Sequence, residues 1–208
     1  MRRLLSTLAL RCSSCSQPLP TPLPACNKCD SISPIPPSAT FHDIFALPAR
    51  PNPFVVDKVL LKRRFRQAQA VCHPDSWASK GQHKQDIAQS LSSRLNEAYN
   101  TLVNPLRRAE YILEQNGLPI LESDQLDDLE FITDIMQVRE GIDEAEDAEA
   151  LALIVEANAV KMDDTVRELE RAVGAQKWPA VKDAAVRLKY LEGIAAAGKQ
   201  KEEEMGEE

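Results

Sequence analysis

Four cysteines stand near the start of the chain in two pairs, Cys12-Ser13-Ser14-Cys15 and Cys26-Asn27-Lys28-Cys29. Two CxxC knuckles ten residues apart supply four thiolates, enough to close one tetrahedral structural zinc. The linker between them, SQPLPTPLPA, is Pro-rich and cannot form its own core, so a metal would have to order it. Spacing alone leaves two other states open: reduced cysteines in an unstructured leader, or a disulfide pair, which a reducing compartment disfavours. The second group is His73-Pro74-Asp75. Taken alone, it reads as a helix end, with His73 capping a carbonyl and Asp75 capping the next loop. A metalloenzyme built on these residues is disfavoured. His42, His73 and His83 lack helical ligand spacing, there is no glycine-rich phosphate loop, and the cysteine set leaves no evident open metal position.

The elements around His73 give the tripeptide a setting. A helix is expected from about Asp57, a plausible N-cap, to Cys72, with Leu61, Phe65, Ala68 and Cys72 as its apolar stripe. Pro74 cannot continue that helix, because it lacks an N–H and its ring clashes with the preceding turn. His73 follows Lys62 by eleven residues, close to three turns, so it ends the face that carries Lys62 and Arg66. A polar loop, Ser76 to Gln82, leads to a return helix from about His83 to Val103. Its stripe is Ile87, Leu91, Leu95, Ala98 and Leu102. Two facing stripes and a short loop make an antiparallel hairpin with a basic face and a His-Pro-Asp tip. Cys72, on the stripe, is expected to be buried.

This hairpin resembles the J-domain of the DnaJ co-chaperones. The resemblance implies that His73, Pro74 and Asp75 dock on a DnaK-type heat-shock chaperone and trigger its ATP hydrolysis.

Composition bounds the rest. With 208 residues the chain holds one or two domains, and its low glycine content and many helix formers favour an all-α fold. The formal net charge of −7 argues against a nucleic-acid partner. It is concentrated between Leu121 and Ala150, where twelve acidic residues face one basic residue, Arg139. No apolar run approaches the roughly twenty residues that span a membrane. The opening MRRLLSTLALR has basic and hydroxyl residues and no acid, the composition of a mitochondrial presequence. Residues 30–38, DSISPIPPS, read as an extended linker. Thr40 caps a short helix over Phe41 to Phe45, in which His42 reads as a surface or capping residue.

After the hairpin, Pro105 fits the first position of a helix that runs to about Gln115, with Gly117 as its stop. Three longer helices are expected at about Ser123–Glu140, Asp143–Val173 and Trp178–Ala197, closed by Gly141, Gly174 and the tail. Short turns between them imply an antiparallel bundle. The tail, 201–208, has five glutamates and is expected to be disordered. Tyr190 faces away from the stripe of its helix. Ile132 and Met136 widen the apolar surface of theirs. Such residues either bind a partner or pack at the core's edge.

A J-domain followed by an acidic three-helix bundle is similar to the HscB family, the J-proteins of iron–sulfur cluster biogenesis. The local matches are Leu95-Asn96-Glu97-Ala98-Tyr99 running into Pro105-Leu106-Arg107-Arg108-Ala109-Glu110-Tyr111, then Phe131-Ile132, Val138-Arg139-Glu140 and Arg187-Leu188-Lys189-Tyr190-Leu191. The likeness covers about Thr40 to Ile194, and the paired knuckles are similar to the N-terminal extension of animal members. It implies an all-α protein: a J-domain hairpin, an antiparallel three-helix bundle and a Cys-rich N-terminal extension. The chain then divides into leader, knuckles and linker (1–38), J-domain (39–117), scaffold-binding bundle (122–200) and acidic tail (201–208). By the same resemblance, Lys62, Arg63 and Arg66 join His73, Pro74 and Asp75 in meeting the chaperone. Ile132, Met136, Gln137, Glu140 and Tyr190 bind an iron–sulfur cluster scaffold protein. Thr133 departs from the pattern, standing where other members are apolar. Cys12, Cys15, Cys26 and Cys29 would hold a structural zinc. The chain itself would bind no nucleotide, catalyse nothing and work in the mitochondrial matrix. The alternative is a general mitochondrial J-protein whose bundle is only a spacer.

Overall fold

The computed structural model describes residues 11–121, 124 and 128–206. The presequence-like residues 1–10 and the expected start of the bundle at Ser123 lie outside the described residues. The architecture is all-α, with seven α-helices and one two-stranded ribbon among the described residues. The chain forms two compact units, 1–50 with 56–104, and 51–55 with 105–208. The helix at 105–115, expected in the J-domain, thus lies in the second unit, and a five-residue segment ahead of the hairpin joins it there.

In the first unit, β1 (Ala25–Cys26) pairs antiparallel with β2 (Ser31–Ile32) around the second CxxC knuckle. The expected linker therefore begins as a strand. Helix α1 (Phe41–Ile44) starts at Thr40 with a capping box, because the Thr40 hydroxyl accepts from the Asp43 amide while the Asp43 carboxylate accepts from that of Thr40. His42 is buried at 2% exposure, which corrects the surface reading. On so short a helix, one polar residue among Phe41, Ile44 and Phe45 turns inward with them.

Helix α2 (Lys58–Cys72) begins at Asp57, whose carboxylate accepts from the Val59 and Leu60 amides at 2.9 Å. It buries Leu61, Ala68, Val71 and Cys72. Helix α3 (Gln82–Val103) buries Ala88, Leu91, Leu95, Ala98 and Leu102. Each fully buried leucine contributes about 1.5–3 kcal/mol of transfer free energy. The helices run antiparallel, since Phe65 stacks on Tyr99 at 4.3 Å near one end and Gln69 bonds Ser92 and Asn96 further along.

In the second unit, α6 (Ala148–Gly174) and α7 (Trp178–Gly206) form a long antiparallel pair, shown by the contacts Arg187 to Glu168, Asn158 to the Leu191 carbonyl, and Gly198 to Val155. Helix α4 (Pro105–Gln115) covers one end of this pair. Its Leu106, Ala109, Ile112 and Leu113 join Phe54, Leu169, Val173, Val181 and Leu188. Helix α5 (Leu129–Asp143) covers the other end, where Ile142 joins Leu151 and Ile194. The bundle thus has a fourth helix that the sequence had assigned to the J-domain.

Two bundle expectations are corrected. Gly141 does not stop α5. It lies within the helix, where a Cβ would meet Ile154 Cδ1 of α6 at 3.4 Å, an ordinary packing distance. The expected disorder of the tail does not hold for residues 201–206, for α7 runs to Gly206. Lys199 pairs with Glu203, the Lys201 ammonium donates to the Asp143 carbonyl at 3.1 Å, and Met205 packs on the α5–α7 core.

Candidate functional site

Pro74 ends α2, and His73 takes an extended conformation at φ −60°, ψ 127°. The residues expected to form a polar loop coil instead into a 3-10 helix, Pro74–Lys80. Its anchor is Trp77, which is 1% exposed and donates through Nε1 to the Val71 carbonyl at 3.0 Å. A buried indole accounts for the order of a segment that is otherwise polar. Gly81, at φ +100°, makes the turn into α3, where a side chain would be strained.

The His73 and Asp75 side chains project into solvent, with relative exposures of 53% and 88%. His73 Nδ1 lies 3.4 Å from the Asp75 amide and 3.6 Å from the Asp75 carboxylate. The amide needs a lone pair on Nδ1 and the carboxylate needs a proton there, and both distances are long. The polar contacts within the tip are therefore weak, and Trp77 and Pro74 hold its shape. Lys62, Arg63 and Arg66 are all exposed on α2, which leads to this tip. The structure so gathers the six chaperone-facing candidates on one helix and its end.

Two knuckles in the same unit gather the four cysteines. Their Sγ atoms lie within 4.8 Å of one another, with Cys12 to Cys29 at 3.6 Å and Cys15 to Cys26 at 3.7 Å. A tetrahedral zinc with Zn–S of about 2.3 Å sets its sulfurs about 3.8 Å apart, so the spacing fits. The knuckles repeat one pattern. The amides of Cys15 and Ser14 bond the Cys12 sulfur, and those of Lys28 and Cys29 bond the Cys26 sulfur. The residue after each knuckle, Ser16 or Asp30, has positive φ (58° and 54°). These amides draw the Cys12 thiol down to about 6 and lower Cys26, while the neighbouring thiol of Cys15 pushes Cys29 up to about 12. One cation would relieve that mutual opposition by taking all four as thiolates. Leu23 in the Pro-rich linker is buried, as are Cys12 and Cys26, so this segment is packed and not an unstructured leader. These four residues can hold a metal such as zinc.

On the bundle, Ile132 is half-buried, Met136 is 68% exposed, and Gln137 and Glu140 are exposed. Tyr190, 38% exposed, comes to α5 through an edge-on contact with Phe131 at 6.2 Å. Gln137 stands apart from these. It lines a crevice of about 370 Å³ between α5 and α6, with Leu153, Ile154, Asn158 and Lys161. Leu129, 77% exposed, was not among the expected contact residues. Its spacing of three from Ile132 and seven from Met136 was the signal that it extends the exposed apolar face.

Residues 127–198 match the model of the HSCB C-terminal oligomerisation domain. The chain is 37% identical over 155 residues to the co-chaperone protein HscB of Proteus mirabilis, covering 72% of this chain and 89% of that one. The chain belongs to the HscB co-chaperone family. The crystal structure of human co-chaperone HscB superposes with a TM-score of 0.79 at 26% identity, over 93% of this chain and 98% of that one. HscB from Vibrio cholerae superposes at 0.70 with 26% identity, over 80% and 99%. Within this HscB-family chain the segment Pro105 to Leu113 is a packing element. It buries four apolar side chains and Arg108, which is 4% exposed with its guanidinium 4.5 Å from the Phe54 ring centre. Burial lowers the Arg108 pKa to about 10 against the pull of Glu170, so it stays charged at neutral pH.

Proposed function

We propose that this protein is a J-type co-chaperone of iron–sulfur cluster biogenesis, which brings a cluster scaffold protein to a DnaK-type chaperone and stimulates that chaperone's ATPase. One observation carries the reading. An exposed His73-Pro74-Asp75 tip ends a helix bearing exposed Lys62, Arg63 and Arg66, in a chain of the HscB family. The cationic face suits an acidic chaperone surface, and contacts of that kind weaken with salt. The Asp75 carboxylate, 88% exposed, is free to meet a cationic group on the chaperone. The chain needs no chemistry of its own. Binding one state of the chaperone more tightly than another shifts its cycle.

The scaffold docks on the bundle face formed by Ile132, Met136, Glu140 and Tyr190, with Gln137 at its far edge. The exposed Met136 and Tyr190 support this, since adaptable Met and aromatic side chains suit partner surfaces. The four cysteines hold a structural zinc, which orders the N-terminal extension. The acid-free leader supports import into the mitochondrial matrix.

Changing Ile132, Met136 and Tyr190 to alanine together tests the scaffold half. Loss of scaffold binding with ATPase stimulation intact supports it, and unchanged binding would leave a general J-protein whose bundle is a spacer.

A further inference from the structure

The cysteine cluster and the chaperone-docking tip belong to one compact unit, and one lysine touches the machinery of both. The Lys80 ammonium lies 2.7 Å from Asp30 Oδ1 and 4.2 Å from the centre of the Trp77 ring. Asp30 directly follows the ligand Cys29 and takes φ +54°, a turn dictated by the knuckle. Trp77 is the floor of the tip, and its indole N–H is fastened to Val71, two residues before His73. A short chain of contacts therefore runs from Cys29 through Asp30, Lys80 and Trp77 to the last turn of α2. The side chain of Lys80 is 26% exposed, so its ion pair and its ring contact are both partly shielded from water.

The geometry points to Lys80 as a positioning residue that ties metal occupancy of the four cysteines to the order of the His73-Pro74-Asp75 tip, with Asp30 as its partner. This rests on the metal reading and the chaperone-docking reading given above. With a metal bound, the knuckle closes and Asp30 presents its carboxylate to Lys80. Lys80 is then held over the indole, and the 3-10 helix stays seated beneath the tip. Without a metal, only the two-residue β1–β2 ribbon and the amide–sulfur bonds hold the Cys26–Cys29 turn, so Asp30 is held less firmly against Lys80 and the cationic cover of the indole loosens. Coupling between two sites is reciprocal, so disrupting Lys80 also weakens metal retention.

Hydrogen exchange of the full chain, read on the peptide spanning 71–82, tests this without any chaperone present. Wild type, Lys80→Met, Lys80→Arg and Asp30→Asn are each compared zinc-loaded and stripped by a chelator, with circular dichroism to verify folding. An ion pair plus a cation–π contact of this exposure sets an expected loss of about fivefold in protection on stripping the wild type. Zinc-loaded Lys80→Met shows the same loss, and stripping it adds nothing. Lys80→Arg keeps the wild-type response, because a guanidinium can pair and stack as the ammonium does. Asp30→Asn, which retains a residue tolerant of positive φ, behaves like Lys80→Met. Zinc passes to a chelating dye about fivefold more readily from Lys80→Met than from wild type. A tip that loosens equally on stripping wild type and Lys80→Met overturns the proposal, as does a wild-type tip indifferent to zinc. A wild type that retains no zinc also overturns it, by way of the metal reading, and metal analysis shows this before any exchange is measured. Failure of the docking reading is separately visible as absent ATPase stimulation in a chain whose tip still responds to zinc.

Discussion

The indole N–H of Trp77 donates to the Val71 carbonyl at 3.0 Å, fastening the floor of the His73-Pro74-Asp75 tip to the last turn of α2. The tip is thus shaped by a buried aromatic beneath it while its own polar side chains stay free. Trp77→Phe keeps most of the burial and leaves one carbonyl unpaired, so it costs about 1–2 kcal/mol. Trp77→Ala costs about 3–5 kcal/mol. Urea unfolding midpoints of the two variants check the order. Equal midpoints in the two variants would mean that burial of the ring is unimportant, and a Trp77→Phe midpoint equal to wild type would mean the same of the hydrogen bond.

That anchor was invisible to sequence reading for a physical reason. A lone aromatic among Asp75, Ser76, Ser79 and Lys80 generates no periodicity, so the segment read as a polar loop. Elements with repeated signals were legible: the α2 and α3 stripes, the Asp57 and Thr40 caps, Pro105 at a helix start, and the cysteine knuckles. Signals that depend on a distant partner were not. Gly141 has the composition of a stop, yet α5 continues through it to Asp143 and packs Ile142 in the core. The glutamates after Lys201 read as a solvated tail, yet lysines at helical spacing and Met205 keep Glu202, Glu203 and Glu204 in α7. The tip, the basic helix and the cysteine set were placed by residue type. Leu129 was passed over because its partners on the face are themselves exposed.

Cys72 lies outside the four-cysteine cluster in the core of the hairpin, and its burial pushes its thiol up to about 11. The metal-loaded native chain should resist alkylation at all five cysteines, the stripped native chain should label four, and the unfolded chain five. Intact mass distinguishes these states. The sign for stability follows from the same shift. The unfolded thiol ionises near 9.0 and the folded one near 11, so this group's contribution falls as pH rises between those values.

Gly198 sits where α7 meets α6, and a Cβ there would lie 2.7 Å from Val155 Cγ2. Overpacking of about 1–3 kcal/mol outweighs the gain in helix propensity of up to about 1 kcal/mol. Gly198→Ala should lower the melting temperature, and Val155→Ala in that background should recover part of the loss. A melting temperature raised by Gly198→Ala alone would show that the helices have room to part.

Phe131 holds Tyr190 edge-on at 6.2 Å. An aromatic pair of this geometry is worth about 0.5–1.5 kcal/mol, so Phe131→Leu should weaken scaffold binding by about two- to tenfold if Tyr190 must be held in place. Titration calorimetry against the scaffold measures this. Unchanged affinity would mean that Tyr190 positions itself.

Single-turnover ATP hydrolysis by a mitochondrial DnaK-type chaperone tests the central claim most directly, with wild type and His73→Gln each added with and without the cluster scaffold. Stimulation that requires His73 and grows when scaffold is present is the expected result. A folded protein that stimulates nothing would contradict the account, leaving His73-Pro74-Asp75 as the end of a helix and no more.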